Sequence, residues 1–297
     1  MAEQSFLDKE FMNQLEQLSL FSRKVFRGLL KGERRSKKKG VSIEFADYRD
    51  YTPGDDLRFL DWNIYGRLER LLIKLFQEEE DLNIYFLLDR SPSMKFGSPE
   101  KFLFSKKLLA ALAYIGLINL DRVAVGSFCS DLDYFFPLSR GKQSVWRLFE
   151  FLESIPCASG GEVTDLYKSC RSFATKFKSS SMVILLSDFM NEEGFEKALS
   201  FFATASKDTF LFHILSQEEI NPALAGDLRL VDSETLSYTD VSISDALLKK
   251  YQAILRGYIQ KLHDWSNKHD IFYSYTSNKQ SFEDLVMKYL REIGMLR

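Results

Sequence analysis

Leu87-Leu88-Asp89-Arg90-Ser91-Pro92-Ser93-Met94 is the stretch from which the fold is read. An apolar run at 83–88 passes directly into a polar loop of the pattern Asp-x-Ser-x-Ser, and a segment of helical periodicity, 99–119, follows. A short, continuous apolar run of this kind predicts a strand buried on both faces. One carboxylate and two hydroxyls in a tight loop are hard oxygen donors, suited to a small hard cation such as Mg²⁺ that keeps several of its waters. The plainer alternative is that Asp89 and Ser91 only cap the helix that follows.

Working outward, the same alternation continues to the end of the chain. Strands are expected at 122–128, 182–187, 209–215 and 271–275, with a short edge strand at 134–137 and further short strands near 228–232 and 237–238. Helices are expected at 144–154, 164–177, 193–205, 244–268 and 281–293. Strands alternating with helices predict an α/β fold, an open doubly wound, mostly parallel sheet with helices on both faces, whose ligands bind at the carboxyl ends of the strands. Two further loops at such ends carry oxygen donors. The run 183–186 leads into Leu186-Ser187-Asp188-Phe189, where a neighbouring parallel strand would set Asp188 beside Asp89; Gly160-Gly161-Glu162-Val163-Thr164-Asp165-Leu166 offers a hydroxyl at a helix start.

Together these loops resemble the metal-ion-dependent adhesion site of von Willebrand factor A domains. In that family two serines and a threonine approach the metal, two aspartates act largely through water, and an acidic group from a partner fills the sixth position. Carried onto this chain, the resemblance implies Asp89, Ser91, Ser93, Thr164 and Asp188 as the metal residues, with Asp165 as the alternative to Thr164, and Mg²⁺ or Mn²⁺ as the ion. It also leaves open a version of the scaffold that has lost the ion.

Upstream, apolar positions at Leu7, Phe11, Leu15, Leu18, Phe21, Val25 and Leu29 predict a docked amphipathic helix over 6–30. Short aromatic-rich pieces follow, with strands expected at 42–45 and 71–76 and an irregular segment between them, broken by Thr52-Pro53-Gly54-Asp55. Residues 1–80 are therefore read as an N-terminal extension and 81–297 as the A-type domain. Within the extension, Glu44, Asp47, Asp55, Asp56 and Asp61 alternate with Arg49, Arg58 and Arg67, a pattern suited to carboxylate–guanidinium pairs that lock the segment onto the domain. With no nucleophile or histidine nearby, Asp55-Asp56 is read as structural rather than catalytic. The stretch from Gly40 to Asn63 is similar to the signature of a bacterial family of unknown function, domain of unknown function fifty-eight, which precedes an A-type domain there as here. That resemblance implies association with MoxR-type AAA+ ATPases, whose genes commonly neighbour those of the family, and no established enzymatic activity.

Composition sets the remaining bounds. The 297 residues are 45% hydrophobic, 14% aromatic and 28% charged, the mixture of an ordinary globular chain. The longest apolar candidate, 108–118, runs at once into Asn119 and Asp121, short of the roughly 20 residues of a membrane span. The N-terminus lacks a secretory pattern, so the expected location is cytoplasmic. Cys129, Cys157 and Cys170, with His213, His263 and His269, make neither a disulfide framework nor a zinc cluster. Net charge is −2, yet residues 1–39 hold ten Lys/Arg against five Asp/Glu. The basic stretch Arg23 to Lys39 has only Phe21 and Phe26 nearby as stacking surface, which favours a solvated or docking arm over a nucleic-acid site.

The function expected on these grounds is a non-enzymatic cytoplasmic adaptor that binds an acidic residue of a protein partner through the cation, the partner being a MoxR-type AAA+ ATPase or its client. The competing reading is a Mg²⁺-dependent phosphohydrolase using the same strand-end acids. It is weakened because Ser91 stands where an Asp-x-Asp loop would place its second aspartate. No phosphate-cradling Gly-x-x-x-x-Gly-Lys-Ser/Thr loop or dinucleotide Gly-x-Gly-x-x-Gly fingerprint is present.

Overall fold

The computed structural model describes residues 11–17, 44–77, 83–177, 182–191, 194–203 and 208–292. The chain groups into two units, one of residues 27–81 and one of residues 1–26 with 82–297. Of the expected N-terminal helix only 11–17 falls within the described residues; it is helical there (α1). Its Phe11 and Leu15 are buried, and the Phe11 ring lies 5.4 Å from that of Phe282. The basic stretch Arg23 to Lys39 lies outside the described residues.

The smaller unit is built on a two-stranded antiparallel sheet, β1 (Glu44–Asp50) with β2 (Leu72–Gln77). The chain between them turns at Thr52-Pro53-Gly54-Asp55, where the Asp55 amide donates to the Thr52 carbonyl at 3.0 Å and Gly54 takes φ +105°. A type II turn requires positive φ at its third residue, which glycine supplies, and proline is common just before it. The segment read as irregular contains a short helix, α2 (Trp62–Leu68), started by Asp61, whose Oδ1 accepts from the amides of Asn63 and Ile64. Seven residues are too few to show a helical period against an aromatic-rich background, and the capping aspartate was its sequence signal. The signature charges close on one another within this unit. Arg49 grips Asp55 with two guanidinium nitrogens at 2.7 and 2.5 Å, Arg58 pairs with Asp56, and Asp61 accepts from Tyr48 Oη at 2.9 Å and lies 3.1 Å from Lys74 Nζ. The Arg49 hydrogen bonds hold the Asp55 carboxyl well below the usual carboxylate range.

The larger unit carries a six-stranded sheet: β3 (Asn83–Asp89), β4 (Arg122–Phe128), β5 (Leu132–Arg140), β6 (Met182–Ser187), β7 (Asp208–Leu215) and β10 (Phe272–Ser277). Its spatial order is β10-β7-β6-β3-β4-β5, parallel throughout except that edge strand β5 runs antiparallel to β4. This is the open doubly wound order, with the direction of winding reversing between β3 and β6. Every residue of β6 and all but the first of β3 are buried, which explains why both strands read as unbroken apolar runs rather than as alternations.

Helices α3 (Lys101–Ile118), α4 (Val145–Ser154), α5 (Leu166–Lys176), α6 (Glu196–Ala203), α8 (Asp245–Lys268) and α9 (Phe282–Glu292) cover the sheet. One face packs Tyr85 and Leu87 of β3 with Val183 and Leu185 of β6 against Phe173 of α5, Phe202 of α6 and Leu262 of α8, each side chain worth about 1.5–3 kcal/mol when fully buried. On the other face α3 approaches so closely that a Cβ built on Gly116 would lie 3.1 Å from Val123 and 3.2 Å from Ile84. A one-turn helix, α7 (Gln217–Ile220), follows β7. The hairpin of β8 (Gly226–Val231) and β9 (Tyr238–Ile243) then projects as a separate two-stranded sheet, its residues mostly exposed. Among the described residues no helix is long and apolar enough to cross a membrane.

Candidate functional site

Strands β3 and β6 lie side by side with Leu88 opposite Leu186, so the two acids that follow them emerge together at the carboxyl end of the sheet. Asp89 is almost wholly buried; its Oδ1 accepts from the Ser91 amide at 2.8 Å and its Oδ2 from the Ser187 hydroxyl at 2.5 Å. The Ser91 and Ser93 hydroxyls are 3.0 Å apart, and Ser93 Oγ donates to Asp188 Oδ2 at 2.8 Å. Past Asp188 the chain reverses sharply at Phe189, which takes φ +51°. A positive φ is costly for a bulky residue. Here the Phe189 amide donates to Ser187 Oγ, its carbonyl accepts from Tyr258 Oη, and its ring is buried in the core.

The third loop, ahead of α5, brings Thr164 to the same place. Asp89, Ser91, Thr164 and Asp188 line one small pocket together with Ser187, Met190, Asn191 and Glu234, and Ser93 is joined to the group through its hydroxyl. Of the two alternatives in the third loop, Thr164 faces the pocket, whereas Asp165 caps α5 by accepting from the Lys168 amide at 2.7 Å. Thr164 in turn donates to Glu234, from Oγ1 at 2.8 Å and from its amide at 3.0 Å.

The electrostatics separate the two acids. Burial, and then the nearby Asp188 charge, push the Asp89 carboxyl up from its ordinary value. Burial acts in the same direction on Asp188, but the ammonium of Lys101 and the Ser93 hydroxyl outweigh it and hold that carboxyl low. The fully buried Lys101 places its Nζ 2.8 Å from Asp188 Oδ2 and 2.6 Å from Glu219 Oε1. Lys101, Glu219, Ser187 and Glu234 were not assigned from the sequence. The helix-start lysine and the strand-end serine carry no local signal. Glu219 belongs to Ser216-Gln217-Glu218-Glu219, whose capping-box spacing is readable and whose box forms at α7.

The donors present suit a hard cation. Among the described residues the pocket lining offers hydroxyl and carboxylate oxygens with no thiol or imidazole, and a positive ion there would offset both the burial and the Asp188 charge that raise Asp89. Among the described residues no three Asp, Glu, His or Cys side chains converge on one point, so a bound ion would depend on the hydroxyls of Ser91, Ser93 and Thr164 beside the two aspartates. The thiols are not activated. Burial pushes Cys157 up to about 12 and raises Cys129 and Cys170 as well.

Comparison with known proteins adds a family match and similar structures. Residues 47–258 match the family model described as Protein of unknown function DUF58. The chain is similar to the uncharacterized protein Rv1480 of Mycobacterium tuberculosis, 23% identical over 246 residues, covering 81% of this chain and 76% of that protein. Among solved structures it is similar to the conserved hypothetical protein BatB from Bacteroides thetaiotaomicron, with TM-score 0.46, 15% identity, 72% of this chain and 98% of that one. It is also similar to the SpRpn10 VWA domain, with TM-score 0.44, 11% identity, 70% of this chain and 95% of that one.

Proposed function

The chain belongs to the DUF58 family, and with its strand-end oxygen cluster as the ground we propose that it is a non-enzymatic protein-interaction adaptor whose contact with its partner runs through a divalent cation. The observation that carries this reading is that Asp89 and Ser91, Thr164, and Asp188 come from three separate loops and line a single pocket at the carboxyl end of the sheet. Ser91, Ser93 and Thr164 would hold Mg²⁺ or Mn²⁺, with Asp89 and Asp188 accepting from its waters. The bound ion supplies a positive centre for an incoming carboxylate.

Each side chain has a defined task. Asp89 fixes the loop by accepting from the Ser91 amide, and Ser187 holds the other Asp89 oxygen. Ser93 ties that loop to Asp188. Neutral hydroxyls and two aspartates, one of them already paired with Lys101, leave an ion under-neutralised, so an acidic residue of a partner gains a strong oxygen contact. Family membership makes a MoxR-type AAA+ ATPase, or a client of that ATPase, the partner proposed.

The test is association of the purified chain with a MoxR-type ATPase, followed by biolayer interferometry in Mg²⁺ and in EDTA. The reading predicts that EDTA weakens the complex, because the partner's carboxylate loses the positive centre it binds. Equal affinity in the two buffers contradicts it.

A further inference from the structure

The Glu234 carboxylate lines the same pocket as Asp89 and Asp188, and among the described residues the lining holds no Lys or Arg. Lys101 does not answer for it, because its ammonium is committed to Asp188 and Glu219. Asp89, Asp188 and Glu234 line the pocket without converging on one point, so a cation there would draw on Glu234 together with the hydroxyls rather than on an acidic triad. Glu234 is held there by design of the turn that carries it. Asp232 Oδ1 accepts from the amides of Glu234 and Thr235 at 2.8 and 2.7 Å, and the Glu234 carbonyl accepts from the Gly161 amide at 2.8 Å. The side chain then rests on Thr164, a residue of the cation site, through two hydrogen bonds.

The arm behind this turn is weakly packed. Val231, Leu236 and Tyr238 are 61%, 58% and 64% exposed, and burial along β8 and β9 is slight. The hairpin thus projects from the domain and reaches back to touch it at the pocket.

Resting on the cation reading above, we propose that Glu234 is an intramolecular carboxylate ligand of this site, delivered by the β8–β9 turn, and that it occupies the position a partner's acid must take. The site is then closed in cis, and a partner binds by displacing the hairpin tip. The poor packing of the arm makes that displacement cheap, since little apolar surface is uncovered when it swings away.

The experiment is a Mn²⁺ titration of the full chain by calorimetry, with water-proton relaxivity of the Mn²⁺ complex measured in parallel, on wild type, Glu234→Gln and Glu234→Ala. Circular dichroism melts establish that the variants are folded. Both variants are expected to bind Mn²⁺ at least about tenfold more weakly. Glu234→Ala should also show higher relaxivity per bound ion, because a water replaces the carboxylate. Wild-type affinity and relaxivity in both variants would overturn the assignment of Glu234 while leaving the cation site standing. Failure of wild type itself to bind Mn²⁺ would overturn the cation reading and this inference with it.

Discussion

The ammonium of Lys101 lies 2.8 Å from the Asp188 carboxylate, with the lysine side chain fully buried and the aspartate 4% exposed. A fixed positive charge at the edge of the proposed cation site lends Asp188 a counterion of its own, and it would compete with an ion for that carboxylate.

Lys101→Met keeps the stem of the side chain and removes the charge. Stripping one partner from a buried pair costs about 3–5 kcal/mol because the remaining charge is uncompensated. The melting temperature in EDTA should fall accordingly, and millimolar Mg²⁺ should recover part of the loss by taking over the counterion role. The same variant should bind Mn²⁺ more tightly than wild type. An equal fall in both buffers would show that Asp188 does not face the cation.

His213 sets a pH dependence. It is fully buried in β7, and its Nδ1 lies 2.7 Å from Tyr273 Oη. Burial pushes its pKa down to about 4, so the folded chain keeps it neutral while the unfolded chain takes up a proton below about 6.5. The unfolded state therefore binds more protons between these values, and stability falls as pH drops through that window. By linkage the loss at pH 5 relative to pH 7 is about 2 kcal/mol. Urea unfolding of wild type and His213→Leu at the two pH values measures it; the variant should lose that part of the slope.

Hydrolysis of p-nitrophenyl phosphate or ATP in Mg²⁺ is expected to stay at the buffer rate. Among the described residues the pocket lining holds no thiol or imidazole, and the one histidine of the neighbouring strand, His213, is enclosed by Phe189, Tyr258, Tyr273 and Tyr275. Metal-dependent turnover that Asp89→Asn abolishes would instead favour a phosphohydrolase.

Much of the fold was legible because its central strands are buried on both faces and so announce themselves as apolar runs; 122–128 and 182–187 coincide with β4 and β6. Edge strand β5 was read at 134–137 but spans Leu132–Arg140, since only one of its nine residues, Phe136, is buried and the apolar signal is confined to its middle. The site divides in the same way. Asp89, Ser91 and Ser93 sit in one loop, and adjacency of parallel strands led to Asp188, whereas Lys101 and Glu234 meet their partners across 87 and 70 residues of chain. Nothing local to either residue encodes such a meeting; it is created by the winding of the sheet and by the reach of the β8–β9 turn.

Calorimetric titration with Mn²⁺ of wild type, Asp89→Ala and the Ser91→Ala, Ser93→Ala double variant bears most directly on the cation site. The account predicts one bound ion in wild type, with affinity weakened at least about tenfold in both variants. Indistinguishable isotherms for the three proteins, or none with any bound ion, would contradict it.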